Sequence, residues 1–126
     1  MYLEYWNLKE EPFKNVPDRN LFYQSNPHEE ALVRLLYAVE NRKGAAMLTG
    51  EVGSGKTTVS RVFMSRLSKE HFEITTIVNP DLNAVDFVRA ILLEMEEEAD
   101  EDSKTILLER LKKRLARNFQ KNLITV

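Results

Sequence analysis

The chain contains no cysteine, which excludes a disulfide scaffold and thiol catalysis and fits a reducing compartment. It also lacks long apolar runs, and the first six residues include an acidic side chain, so they match neither a signal peptide nor a membrane anchor. Neither sign of charge dominates: 18 basic and 20 acidic residues leave a formal net charge of −2. That balance predicts no general attraction to nucleic acid or membranes. We expect one small cytoplasmic domain, or part of a larger one, without a membrane segment.

Glycine is scarce as well: the chain has four, and three of them are Gly50, Gly53 and Gly55. They belong to residues 50–58, which fit the phosphate-loop pattern of Gly, four residues, Gly, Lys, and Ser or Thr. Glycines let the backbone curl until its N–H groups point at phosphate oxygens. Lys56 adds a positive charge and is the predicted catalytic residue, while the Thr57 hydroxyl is the predicted Mg²⁺ ligand. The predicted nucleotide-binding residues are Gly50, Glu51, Val52, Gly53, Ser54, Gly55, Lys56, Thr57 and Thr58.

The residues on both sides of this loop favour the same interpretation. Residues 45–49 form a short apolar run, as expected for a strand buried on both faces of a parallel sheet. From Thr57 onward apolar residues recur at helical spacing, so a helix N-terminus would meet the phosphate. The alternative is a glycine-rich surface loop with a solvated lysine. The apolar residues of the predicted helix are Val59, Val62, Phe63, Met64 and Leu67.

Upstream of the loop, residues 1–25 are rich in aromatic residues and interrupted by proline, which disfavours a regular helix. They predict an extended arm that docks Trp6, Leu8 and Phe13 onto a core. A helix follows, with Asn26 as N-cap and Pro27 at its first position, and it ends near residues 41–44. We therefore divide the chain into an arm, 1–25, and a domain, 26–126. His28 is placed in the first turn of that helix and His71 on the surface.

Downstream of the loop, the pattern alternates between strands and helices. Residues 74–78 are rich in β-branched side chains and predict a second strand, and residues 123–126 predict a third. Between them lie two predicted amphipathic helices, one capped by Asp81 or Asn83 and one capped by Ser103. The inward residues of the first are Val85, Val88, Ile91, Leu92 and Met95, and those of the second are Leu107, Leu108, Leu111, Leu115 and Phe119.

Two charged clusters need an interpretation. Acidic residues at 94–98 and 100–102 are taken as a solvated helix end and loop, in preference to a metal site. The last helix carries a basic stripe, which either contacts nucleic-acid phosphates or complements the helix dipole, and we prefer the dipole. This stripe consists of Arg110, Arg114, Arg117 and Lys121.

Several segments together resemble one family. Residues 5–13, Tyr-Trp-Asn-Leu-Lys-Glu-Glu-Pro-Phe, are similar to the N-terminus of AAA+ ATPases of the general secretion pathway protein A type. Residues 28–32, residues 42–58 and the Asn79-Pro80 pair fit as well, so the resemblance covers essentially the whole chain. It implies an α/β fold of the P-loop NTPase, AAA+ type, with three α/β/α layers and a parallel sheet that is incomplete here.

The resemblance also implies ATP and Mg²⁺ as cofactors, a homo-oligomer, and envelope secretion or pilus assembly proteins as partners. In that family the third strand ends in an Asp-Glu pair that orders magnesium and water. The resemblance therefore implies a chain that ends within this strand, binds nucleotide and hydrolyses it poorly.

Three functions stay open at this point. The first is a segment of an ATPase whose parent couples ATP hydrolysis to assembly of a secretion or pilus-type complex. The second is a nucleotide-regulated, DNA-associated module of the transposition type that uses the basic stripe. The third is a non-catalytic assembly domain in which the loop holds a structural anion and the N-terminal aromatic residues bind a partner.

Overall fold

The computed structural model describes residues 2–12, 14 and 22–126, which divide into two compact units. The first unit runs to Arg66, and the second spans Leu67–Val126. The elements of the first are the helices α1 (Tyr2–Tyr5), α2 (Asn26–Glu40) and α3 (Lys56–Arg66). Those of the second are β1 (Phe72–Glu73), α4 (Ala84–Glu94), α5 (Lys104–Gln120) and β2 (Ile124–Thr125).

The core of the first unit lies between α2 and α3, which contact each other. Leu32 on α2 is fully buried, and Val59, Val62 and Phe63 on α3 are each no more than 8% exposed. Burying an aliphatic side chain of this size stabilises the fold by about 1.5–3 kcal/mol. The apolar periodicity therefore located α3 correctly, and this helix begins directly at the end of the glycine-rich loop.

Helix α2 begins one residue earlier than the sequence suggested, so Asn26 as N-cap was wrong. Ser25 occupies the cap with an extended backbone (φ −72°, ψ 161°), and its carbonyl oxygen accepts the Glu29 N–H at 2.9 Å. The residue before a proline is pushed toward extended conformations, but here Asn26 is already helical. At the other end Asn41 caps the helix, since its side-chain amide donates to the Tyr37 carbonyl at 2.8 Å.

Residues 45–49, predicted as a buried strand, have no strand pairing, and Met47 is 86% exposed. A strand exists only where its N–H and C=O groups bond to a neighbour. No described residue pairs with this segment, so apolar composition alone did not produce the strand.

The N-terminal arm also differs from the prediction. Residues 2–5 form one helical turn, α1, because Trp6 N–H donates to the Tyr2 carbonyl at 3.0 Å. Trp6 is 68% exposed, and its ring meets that of Tyr5 edge to face, with 5.1 Å between centroids. Docking of Trp6 onto a core was therefore wrong. Leu8 is exposed too, and Phe13 lies outside the described residues.

In the second unit β1 and β2 form a parallel pair in which Phe72 faces Ile124 and Glu73 faces Thr125. A third strand near the C-terminal residues was thus predicted correctly. The second strand was predicted at residues 74–78, but it lies slightly earlier, at Phe72–Glu73, because these are the residues that pair with β2. Val126 N–H donates to the Glu73 carbonyl at 2.9 Å, and Thr75 N–H donates to the Val126 carbonyl at 2.8 Å.

Helices α4 and α5 pack on each other and enclose the core of the second unit. Its buried residues are Val88, Leu92, Ala99 and Leu107. Of the two predicted caps of α4, Asp81 and Asn83, the structure has Asn83, whose side chain accepts the Asp86 N–H at 2.9 Å. Ser103 stands at the N-cap of α5 without a side-chain cap bond.

The inward face of α5 differs from the prediction in its last turns. Leu107 is fully buried, but Phe119 is 69% exposed, and Leu108 and Leu115 are exposed as well. Asn118 is the buried residue there. Its amide forms hydrogen bonds with Glu73 and Thr125, which the ring of Phe119 could not form. Two helix-flanked parallel strands agree with an α/β class, while the three-layer sheet stays a prediction.

Candidate functional site

Two glycines of residues 50–58 adopt backbone conformations that other residues avoid. Gly53 has φ +79° and Gly55 has φ +90°. Side chains in this left-handed region strain the backbone, so glycine is required by geometry here. A Cβ at Gly50 would also lie 2.6 Å from the Ser54 hydroxyl oxygen. The loop is therefore curled tightly, as a backbone cradle for an anion requires.

The Lys56 side chain bonds back to the start of the loop. Its Nζ donates to the Gly50 carbonyl at 2.8 Å and to the Glu51 carbonyl at 2.7 Å. Both acceptors are neutral, and no carboxylate in the described ranges forms an ion pair with Lys56. The ammonium is thus held at the loop by dipoles while its positive charge is left for an anionic ligand.

Helix α3 presents its N-terminus at the same place. It begins at Lys56, and its first bond joins the Val59 N–H to the Gly55 carbonyl at 2.8 Å. The preceding N–H groups of the first turn have no partner within a helix, and the macrodipole makes this end partly positive. Thr57 is exposed in this turn. Curled glycines, an ammonium and a helix N-terminus converge here, so the residues present fit a phosphate group.

A contact that the sequence reasoning missed joins α2 to the loop. His28 Nε2 lies 2.9 Å from the Ser54 carbonyl oxygen, 26 residues along the chain. The sequence placed His28 correctly in the first turn of its helix but gave no reason to connect it with the loop. No spacing rule relates a lone histidine to a carbonyl that far away, so only packing of α2 on α3 revealed this contact.

The basic stripe on α5 belongs to the second unit, and all three of its arginines are paired with carboxylates. The Arg114 side chain is only 17% exposed, and it bonds to both Glu73 and Asn118. Its Nε lies 3.2 Å from Glu97 in an ion pair that lacks hydrogen-bond geometry. The pairs are Arg110 with Glu101, Arg114 with Glu73 and Glu97, and Arg117 with Glu97.

Most of the acidic cluster is exposed, as predicted, but Glu97 and Glu101 form ion pairs with arginines of this stripe. In the part of the chain that the structure describes, no three His, Cys, Asp or Glu side chains come together as a metal site. His71 is exposed, as expected.

The N-terminal aromatic residues line a shallow apolar pocket. Its walls are formed by Tyr2, Trp6, Leu8 and Pro12. Partner binding by this surface stays a prediction.

Comparison with known proteins identifies the class. The AAA domain family matches residues 39–126, which include the whole glycine-rich loop and α3. The chain therefore belongs to the AAA domain family, whose members have the P-loop NTPase fold.

Within that class, the chain is similar to General secretion pathway protein A of Aeromonas hydrophila. The two are 42% identical over 108 residues, which are 86% of this chain and 20% of the relative. The chain thus spans about a fifth of the length of that curated relative. The resemblance to general secretion pathway protein A is confirmed. No solved structure matches the chain. None of the helices in the described ranges is both long and apolar enough to cross a membrane.

Proposed function

We propose that residues 50–58 bind the phosphates of Mg²⁺-ATP, and that the chain supplies the nucleotide-binding segment of a secretion-associated ATPase. The observation that carries this proposal is the position of Lys56 Nζ between the Gly50 and Glu51 carbonyls, in a loop curled by two left-handed glycines at the start of α3. Membership of the AAA domain family supports the choice of ATP.

Each group has a defined task in this proposal. The loop N–H groups and the first turn of α3 bind phosphate oxygens, and Lys56 neutralises charge on the outer phosphates. The Thr57 hydroxyl coordinates Mg²⁺. When bound, Mg²⁺-ATP supplies the phosphoryl group whose transfer the family catalyses. We further propose that residues 26–126 contribute to a domain with a three-layer α/β/α sheet, and that residues 1–25 act as its arm.

ATP hydrolysis, and the process that it drives, are also part of this proposal. Membership of the AAA domain family supports ATP hydrolysis and assembly into homo-oligomers, and the similarity to General secretion pathway protein A supports a role in secretion. We propose that hydrolysis is coupled to assembly of a secretion or pilus-type envelope complex. Phosphoryl transfer needs several positioned charges around the outer phosphate. The phosphate loop supplies one part of that arrangement.

Calorimetric titration with Mg²⁺-ATP tests the binding proposal. Lys56→Ala removes charge-assisted hydrogen bonds and is expected to weaken binding about ten- to hundredfold, from about 1.5–3 kcal/mol per such bond. Lys69→Ala is the matched control, because Lys69 is exposed in a turn outside the loop. Equal affinities of the wild type and Lys56→Ala would show that the assigned role is wrong.

A further inference from the structure

His28 makes a directional contact with the phosphate loop. Its Nε2 lies 2.9 Å from the Ser54 carbonyl oxygen. A carbonyl oxygen only accepts hydrogen bonds, so Nε2 carries the proton and donates. The other ring nitrogen, Nδ1, is shielded from solvent and has no partner among the residues that the structure describes. One tautomer of the imidazole, with its proton on Nε2, satisfies this arrangement.

The same ring packs against the residue after Ser54. A Cβ built on Gly55 would lie 3.2 Å from His28 Nε2 and 3.5 Å from Cε1. Gly55 therefore has two reasons to be glycine, its φ of +90° and the closeness of the imidazole. The ring of His28 also meets that of Phe22, with 5.5 Å between centroids and 39° between planes. His28 thus contacts both the chain before α2 and the loop.

This contact determines which way a loop amide faces. In a trans peptide the C=O and the N–H point in opposite directions. Because the Ser54 carbonyl points toward His28, the N–H of Gly55 in the same peptide points away from α2. The orientation of the Gly55 carbonyl is fixed as well, because it accepts the first helical hydrogen bond of α3, from the Val59 N–H. Both peptides that flank Gly55 are therefore held in place before any ligand arrives.

We propose that His28 is a positioning residue for the nucleotide phosphates: its Nε2–H holds the Ser54–Gly55 peptide so that the Gly55 N–H is presented to a phosphate oxygen. This inference rests on the proposed function and adds a residue from α2, outside residues 50–58. It differs from a purely structural tether because loss of the donor lowers phosphate affinity while the fold is retained.

Three substitutions of His28 separate the donor from the ring. His28→Gln keeps an N–H donor at nearly the position of Nε2, whereas the shorter His28→Asn places its amide nearer the position of Nδ1. His28→Phe keeps an aromatic ring against Gly55 and Phe22 but removes the donor. The matched control is His71→Phe, because His71 is exposed on the second unit.

The affinity of each variant is measured with Mg²⁺-ATP, with Mg²⁺-tripolyphosphate and with adenosine. Loss of one neutral hydrogen bond corresponds to about three- to tenfold weaker binding. We expect this loss in His28→Phe and His28→Asn for both phosphate ligands, with adenosine unaffected. His28→Gln is expected to stay within about twofold of the wild type, and thermal unfolding midpoints report whether the fold is retained.

The outcomes separate the two proposals. A wild-type chain that binds neither phosphate ligand overturns the proposed function, and the inference with it. A wild type that binds while His28→Phe and His28→Asn bind equally well overturns the inference alone. Equal losses in His28→Gln and His28→Phe also overturn it, because the donor would then have no role.

If His28→Phe does not fold, a measurement on the wild type decides. Long-range ¹H–¹⁵N correlation spectra of the imidazole are expected to show a protonated Nε2 and an unprotonated Nδ1, with the Gly55 amide resonance shifting on addition of tripolyphosphate. A proton on Nδ1 instead of Nε2, or a Gly55 amide that does not respond, overturns the proposal.

Discussion

The side-chain nitrogen of Asn118 lies 2.8 Å from the Thr125 hydroxyl, which joins α5 to β2. The same nitrogen donates to Glu73 on β1, and Asn118 Oδ1 accepts from Arg114 at 2.7 Å. Asn118 is 1% exposed, and the side chains of its partners Arg114 and Glu73 are only 17% and 24% exposed. One amide thereby connects both strands of the parallel pair to the last helix.

Replacing Asn118 with leucine is expected to destabilise the chain by about 1–3 kcal/mol, because Glu73 and Arg114 lose a partner in a buried site. Urea unfolding followed by circular dichroism gives the free energy of unfolding. Gln120→Leu is the control, since Gln120 is exposed on the same helix. Similar stabilities of the two variants would mean that the buried bonds contribute little.

The left-handed glycines predict a second result. Gly55→Ala is expected to lose about 1–2 kcal/mol of stability from backbone strain and to bind Mg²⁺-ATP more weakly, because the loop must also move away from the His28 ring. Gly44→Ala is the control, since Gly44 is outside the left-handed region and nothing lies within 4 Å of its added Cβ. Thermal unfolding and nucleotide titration measure both effects. Wild-type affinity in Gly55→Ala would contradict a conformational requirement at this position.

The helix caps of the second unit provide a third prediction. Asn83→Ala removes the bond from Asp86 N–H and is expected to destabilise α4 by about 1 kcal/mol. Ser103→Ala is expected to have a smaller effect, because Ser103 makes no side-chain cap bond to α5. The comparison uses the shift in urea midpoint at constant slope. A larger loss of stability in Ser103→Ala than in Asn83→Ala would mean that the Ser103 side chain contributes more to capping than the Asn83 side chain does.

The neutralised stripe on α5 predicts the result of a DNA-binding assay. Because three of its arginines pair with carboxylates, we expect no duplex binding that falls steeply between about 50 and 200 mM salt. Fluorescence anisotropy of a labelled duplex measures the slope, and Lys69→Gln serves as the control variant. Steep salt dependence that Arg117→Gln reduces by about one unit of slope would instead support the DNA-associated module.

The local features of the chain were predictable because each depends on neighbours in sequence. Apolar spacing located α3, and residue type limited the predicted α4 cap to Asp81 or Asn83, of which Asn83 is the cap. The phosphate-loop pattern requires glycine at position 55, and Gly55 adopts a positive φ. Such signals lie within a few residues of the structure they specify.

Features that depend on distant partners were not predictable in the same way. Residues 45–49 have the composition of a strand but pair with no residue that the structure describes, since pairing depends on a neighbouring strand that composition does not specify. Trp6 is apolar yet exposed, and Asn118 is polar yet buried, because burial follows the available contacts as well as hydropathy.

By itself, the sequence determined the family, the phosphate loop and the helices around it, because these depend on residue type and short spacing. Only the tertiary structure decided that His28 donates to Ser54, and that the arginines of α5 pair with Glu73, Glu97 and Glu101. These contacts join residues far apart in the chain. Hydrogen bonds and ion pairs act over a few ångströms, so such contacts exist only once helix packing has brought the partners together.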